Sequence, residues 1–175
     1  NEWGKESFKR FNGMWSFAIL DKLKKKVLIC RDRYGVKPCY IANSNNKLIF
    51  SSEIKGILAS NENYELDHNK ILLSYKSKEK LFTTDFINID IVQPGCYYEI
   101  SLIDQSIKKN RWWNGLTNLP KINTNYKILK EEFREKLTQA VKIRLISDTK
   151  IATSLSGGID SSVIFAVLNS FDFQN

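Results

Sequence analysis

The chain is poor in the residues that mark several common function classes. Among its 175 residues it has one histidine, three cysteines and three prolines. A single histidine, His68, and no Cys-x-x-Cys pair leave no ligand set for a zinc site. Cys30, Cys39 and Cys96 are odd in number and lie in apolar, strand-like contexts. They are expected to be buried free thiols of a reducing, cytoplasmic setting. No apolar run is long enough to span a bilayer, so no membrane partner is expected. The opening Asn1-Glu2-Trp3-Gly4 lacks the pattern of a secretion signal. Acidic residues are outnumbered, 19 against 27 Lys and Arg, for a net charge of +8. A basic balance is one mark of nucleic-acid binding. Here the densest cluster, Lys22, Lys24, Lys25 and Lys26, separates two apolar runs as a hairpin turn does, and no nucleic-acid partner is expected. Internal repeats and low-complexity tracts are absent.

What is present falls into two parts. Met14–Leu20 and Val27–Cys30 are strand-length apolar runs, continuous enough to predict strands buried on both faces. A charged loop, Arg31–Pro38, follows. Cys39–Ala42 and Leu48–Ser52 then read as a second hairpin, with Ser52 capping a short helix over Glu53–Ala59. Asp67–Tyr75 predicts another helix, with Ile71, Leu72 and Tyr75 inward, whereas Thr83–Ile91 has no clear period. Pro94-Gly95 marks a turn before a hairpin of Cys96–Ser101 with Ser106–Trp112. Trp112-Trp113 reads as a packing anchor, not a base-stacking platform. These residues define a first domain over 1–113. Asn114–Tyr126, rich in Asn, Thr, Pro and Gly, is expected to be a linker. Residues 127–175 begin a second domain. Lys127–Ile146 predicts an amphipathic helix with Leu129, Phe133, Leu137, Ala140, Val141 and Leu145 on one face.

The most informative stretch comes next. Ile151–Leu155 is an apolar run of strand length, Gly157 and Gly158 interrupt it, and Val163, Ile164, Ala166, Val167 and Leu168 supply an apolar helix. Strand, tight loop and helix in that order build an anion site. Adjacent glycines let backbone N–H groups approach a ligand with no Cβ in the way. The helix start adds unpaired N–H groups and the positive end of its dipole. Ser156, Ser161 and Ser162 add hydroxyls, and Ser161 or Ser162 is expected to cap the helix. A carboxylate at Asp160 would repel a phosphate unless a divalent cation lay between them, which points to Mg²⁺. No Gly-Lys-Ser/Thr follows, so this is not a Walker loop.

Ser156-Gly157-Gly158-Ile159-Asp160-Ser161-Ser162 resembles the SGGxDS loop of the ATP-pyrophosphatase (PP-loop) enzymes. With Leu155 and Ser162 included, it is most similar to the loop of glutamine-dependent asparagine synthetases. Phe11–Ala18, Arg31–Tyr40 and Phe50–Lys55 resemble the C-terminal half of a class II glutamine amidotransferase domain. Cys39 stands where that family usually has leucine. The resemblance implies an α+β / α/β chain. Its first part would be half of an N-terminal-nucleophile α/β/β/α sandwich, and its second the first strand-loop-helix unit of a doubly wound PP-loop domain.

It also implies an activity: glutamine supplies ammonia, and aspartate is amidated through β-aspartyl-AMP using ATP and Mg²⁺, with a homodimer as one further expectation. Carried onto this sequence, Ser156, Gly157, Gly158, Ser161 and Ser162 would hold pyrophosphate. Asp160 would position the metal, and Ser154 and Leu155 would lie by the adenosine. The family's glutaminase nucleophile is an N-terminal cysteine, whereas this chain opens on Asn1, so no glutaminase catalytic residue is assigned and a central piece of a longer protein is expected. Two other readings stand beside this one. They are a related PP-loop enzyme of the β-lactam synthetase or peptide cyclase kind, and a non-catalytic basic binding module.

Overall fold

The computed structural model describes residues 2–44, 47–60, 63–76, 83–115, 117, 119 and 125–171. The chain divides into two compact units, Asn1–Leu119 and Pro120–Asn175.

The first unit is built on two antiparallel sheets. β1 (Ser16–Asp21) and β2 (Lys26–Arg31) form the expected hairpin, and β6 (Cys96–Ser101) and β7 (Ile107–Arg111) form another. They join in the order β1-β2-β6-β7. β3 (Tyr40–Ser44) lies at the centre of the second sheet, between β4 (Lys47–Ser51) and β5 (Ile89–Ile91). β5 is drawn from the stretch that shows no period in the sequence. At three residues it is too short to display alternation.

Strand alternation then sorts the side chains into layers. Ile29, Tyr98 and Ile100 of the four-stranded sheet meet Ile41 of the three-stranded sheet, with Cys39, Val92 and Cys96, in one buried cluster. Ala42 and Ile89 form a second cluster with Ile57 of α1 (Ile54–Leu58), on the opposite face of the smaller sheet. Each fully buried isoleucine contributes roughly 1.5–3 kcal/mol. The outer face of the larger sheet carries a 3-10 turn, Gly4–Lys9, whose Phe8 is 3% exposed. Its ring packs on Phe11, Trp15, Phe17, Tyr97 and Trp112. Lys5 and Lys26 both pair with Glu99 beside it.

Several local expectations change. β1 is not buried on both faces: it has one described neighbour, β2, and Ile19 and Leu20 are each about half exposed. Ser52 does not cap α1. The cap is Glu53, with no side-chain cap bond, and it is Ser51 Oγ that accepts from Glu53 N–H at 3.2 Å. In α2 (His68–Lys76), Leu72 and Tyr75 face solvent and Ile71 alone of the three is partly covered. Between the runs of the second hairpin, Asn43 and Ser44 belong to β3 and residues 45 and 46 lie outside the described residues, as do 116, 118 and 120–124 of the expected linker.

In the second unit, α3 (Tyr126–Lys142) starts at Asn125, whose Oδ1 accepts from Lys127 N–H (3.0 Å) and Ile128 N–H (3.5 Å). It runs into a 3-10 turn, Ile143–Leu145, and packs on α4 (Ile159–Asn169). Burial concentrates toward Val141, whereas Phe133 of the expected apolar face is 67% exposed. Ile151–Leu155 forms no strand. A parallel strand needs a neighbour on at least one side to pair its N–H and C=O groups, and none of the described strands pairs with this segment. The observed class is therefore α+β with antiparallel sheets.

Candidate functional site

The loop between Ile151–Leu155 and α4 brings the sequence-predicted site residues together. Gly157 has φ of +81°, the left-handed region where glycine is unstrained, and a Cβ there would meet nothing within 4 Å. That open space is what a phosphate group would use. Gly158 is the N-cap of α4, extended at φ −76°, ψ 159°, and no side chain caps the helix. The expected cap by Ser161 or Ser162 is thus not made. Ser161 lies in the first helical turn, where its hydroxyl donates back to Gly158 O at 3.0 Å. Ser162 N–H makes the first helical bond to Gly158 O, 3.1 Å. The N–H groups ahead of it in the first turn have no side-chain acceptor, so they are available to an anion.

Ser156 Oγ and Ser161 Oγ are 3.1 Å apart, which fixes two hydroxyls on one side of the loop. Ser154, Leu155, Ser156, Gly157, Gly158, Asp160 and Ser162 are exposed, and Ser161 is partly covered. Asp160 stands in the first turn of α4. Among the described residues no group of three or more His, Cys, Asp or Glu side chains could hold a metal ion. A cation here would therefore have one protein carboxylate, with phosphate oxygens and water as its other ligands. Mg²⁺ suits that donor set. An apolar groove of about 460 Å³ lies close by, lined by Ile151, Ala152, Thr153, Phe165, Leu168 and Phe171 among others.

The first unit offers different chemistry. Cys30, Cys39 and Cys96 are all buried and free. Burial pushes their thiols up, Cys30 to about 12, so none presents a thiolate near neutrality. A larger cavity of about 680 Å³, floored by Phe17, Ile19 and Leu28, lies beside the Gly4–Lys9 turn and contains no predicted site residue.

Reading the sequence as a charged loop understated Arg31–Pro38. Asp32 is 1% exposed. Its carboxylate accepts N–H bonds from Trp15 (3.3 Å), Tyr34 (3.1 Å), Val36 (3.0 Å) and Lys37 (3.0 Å). Burial alone would raise its pKa. The N–H groups of Lys37, Val36, Tyr34 and Trp15 outweigh that and hold it below the usual carboxylate range. Arg31, also buried, donates to the carbonyls of Lys37 (2.8 Å), Val92 (2.7 Å) and Gly35 (2.6 Å). Two adjacent charges at the end of a buried strand, Arg31 and Asp32, are the sequence signal for such a clamp, since buried charge must be fully hydrogen-bonded.

Comparison with known proteins follows the same division. Residues 1–113 match the model of a family described as glutamine amidotransferase domain, and residues 132–172 match one described as asparagine synthase. A Methanocaldococcus jannaschii protein, provisionally named glutamine-hydrolysing asparagine synthetase 2, is 38% identical over 98% of this chain and 34% of its own length. The glutamine-hydrolysing asparagine synthetase 2 of Bacillus subtilis is 36% identical over 93% of this chain and 25% of its own. A Gibberella zeae protein named amidase chry2 is 30% identical over 95% of this chain and 25% of its own. The chain thus spans about a quarter to a third of the length of these relatives. With buried antiparallel sheets in the matched region and a sequence that runs on into an asparagine-synthase segment, the chain belongs to the glutamine amidotransferase domain family, as a part alike to the glutamine-hydrolysing asparagine synthetases.

Proposed function

We propose that the whole protein is a cytoplasmic ATP-dependent carbon–nitrogen ligase that amidates aspartate with ammonia taken from glutamine, its domains meeting at a linker over 114–126. The observation that carries this reading is the Ser156–Ser162 loop: an uncapped helix start, a left-handed glycine with open space above it, and two hydroxyls 3.1 Å apart. In this reading residues 127–175 open a PP-loop domain, and Ile151–Leu155 pairs as a parallel strand when neighbouring strands flank it. A homodimer is compatible with the reading.

The chemistry asked of these residues is modest. A free carboxylate is a poor electrophile, and its anhydride with AMP has a good leaving group. Gly157 and Gly158 N–H, with the hydroxyls of Ser156, Ser161 and Ser162, hold the departing pyrophosphate as charge builds on it. Ser154 and Leu155 flank the adenosine. Asp160 is the carboxylate toward Mg²⁺, which, when bound, neutralises phosphate charge. Ammonia then displaces AMP from β-aspartyl-AMP.

The test is pyrophosphate release by the full-length protein given aspartate, MgATP and ammonia, which bypasses glutamine. Asp160→Asn should lower the rate at least about tenfold, roughly 1.4 kcal/mol of transition-state stabilisation. It should leave the melting temperature nearly unchanged, since Asp160 is exposed and contributes at most about 0.3–1 kcal/mol through the helix dipole. A wild-type rate with wild-type Mg²⁺ dependence would remove Asp160 from the mechanism. A second reading, that of a related PP-loop enzyme of the β-lactam synthetase or peptide cyclase kind, is another carboxylate as acceptor on the same loop. Pyrophosphate release with a β-amino acid or a peptide carboxylate, but not with aspartate, would select it.

A further inference from the structure

The sequence holds two Asn-Gly pairs, Asn12-Gly13 and Asn114-Gly115. Such a pair can react with itself, because glycine puts no side chain in the way of its own main-chain nitrogen and the preceding amide carbon. The fold treats the two pairs differently. Asn114 follows Trp113, whose N–H donates to Gly95 O at 3.2 Å and whose ring meets Tyr34 edge-on with centroids 4.9 Å apart. A Cβ on Gly115 would come within 2.5 Å of that ring. Asn114 O accepts from Thr117 N–H (3.3 Å) and Thr117 Oγ1 (3.0 Å). This pair cannot turn without breaking those contacts.

Asn12-Gly13 lies between the Gly4–Lys9 turn and β1, outside any helix or strand, and is exposed together with Met14. Among the described residues, neither Asn12 nor Gly13 makes a hydrogen bond. Gly13 has φ of +114°, and a Cβ there would meet nothing within 4 Å. Its flanks are pinned. Arg33 Nη1 donates to Phe11 O, and Arg33 Nη2 to Lys9 O at 2.8 Å. Trp15 N–H donates to Asp32 Oδ2 at 3.3 Å, and Trp15 O accepts from Asp32 N–H at 2.9 Å. Asn12, Gly13 and Met14 therefore span two fixed points, next to a guanidinium whose charge favours an anionic main-chain nitrogen.

We propose that Asn12-Gly13 is a site of self-modification and that Asn114-Gly115 is not. The Gly13 nitrogen gives its proton to solvent base and attacks Asn12 Cγ. The new C–N bond forms, the bond from Cγ to the amide nitrogen breaks, and ammonia leaves with a proton taken back from solvent. Water then opens the cyclic imide. Opening at the former side-chain carbonyl gives aspartate. Opening at the main-chain carbonyl gives isoaspartate, whose chain runs through the old side chain and is one methylene longer. A longer span cannot keep both anchors, so Phe11 or Trp15 must shift, and both rings pack on Phe8, at 6.5 and 6.4 Å.

The test is to age the full-length protein in mildly alkaline buffer and follow both pairs by peptide mass mapping, with an isoaspartate-specific methyltransferase reporting isoaspartate. Asn12 should convert at least about tenfold faster than Asn114 in the folded protein, and the two rates should converge in urea, where neither pair is held. Equal rates in the folded protein, or an intact Asn12, overturn the proposal. Hydrogen exchange separates added charge from added length. The isoaspartyl protein should exchange the amides of Arg10, bonded to Ser7 O, and Trp15 at least about tenfold faster than unaged protein. Asn12→Asp, which has the charge without the methylene, should stay near wild type, and Asn12→Gln should stay unmodified and protected through the same ageing. Unchanged exchange in the isoaspartyl form overturns the strain between the two anchors.

Discussion

The two units use similar apolar residues to different effect. In the first, Ile29, Ile57, Ile89 and Val92 are completely buried and two sheets share one core. In the second, Val141 is the one described residue that is buried, whereas Ile146, Ile159 and Leu155 are 87%, 82% and 57% exposed. A sheet offers two faces along its whole area, so a hairpin that finds a second sheet buries residues from every strand. Two packed helices share a single seam, and the rest of each helix stays in water. The first unit thus holds its apolar side chains in a core, while the second leaves the Ser156–Ser162 loop exposed, with Ser161 alone partly covered.

If that contrast is right, the units should respond very differently to mutation. All four tryptophans lie in the first unit, so their fluorescence reports on it alone. The largest loss should come from Asp32→Ala, which strands four N–H groups around a buried site. About 4 kcal/mol is expected from urea unfolding by tryptophan fluorescence, and a loss below about 1 would mean the clamp is solvated. Next, Ile29→Ala should cost about 3 kcal/mol by cavity formation, whereas Phe165→Ala, at a site 45% exposed, should change the helical signal of the second unit by less than about 1 kcal/mol. Equal effects would erase the contrast.

The smallest effect concerns pH. Hydrogen bonds from Lys26 and then Lys5 hold the Glu99 carboxyl down at about 2, against an ordinary 4.5. A depressed carboxylate pKa stabilises the fold above the ordinary value, and that stability is lost as pH falls toward the folded one. Glu99→Gln should therefore flatten the loss of first-unit stability between about pH 5 and pH 2.5. The size should be only about 1 kcal/mol, because the Lys5 and Lys26 side chains are 48% and 45% exposed and their attraction is screened. The acid limb of urea midpoints measured for both proteins checks this, and identical slopes would dismiss the pair.

Much of the first unit's strand pairing is local in sequence. Hairpin β1–β2 follows from two apolar runs around a lysine-rich turn, and hairpin β6–β7 from polar residues around Asp104-Gln105. These are local patterns, decided by neighbours in sequence. The loop proposed to hold phosphate is equally local: its glycines, serines and Asp160 lie within seven consecutive residues, Ser156–Ser162. What local pattern could not supply was partnership across sequence. β5 became a strand only because β3 offered it an edge. Leu72 and Tyr75 have inward spacing but stay exposed among the described residues.

The sequence by itself determined the two hairpins of the larger sheet and the start of α4 after Gly157-Gly158, since turn residues and helix starts act over a few positions. Tertiary structure decided which apolar residues became core. It also made Asp32 a clamp for Trp15 and Lys37 and brought Tyr34, Gly95 and Trp113 together, because burial and long-range hydrogen bonds exist only once distant strands have paired.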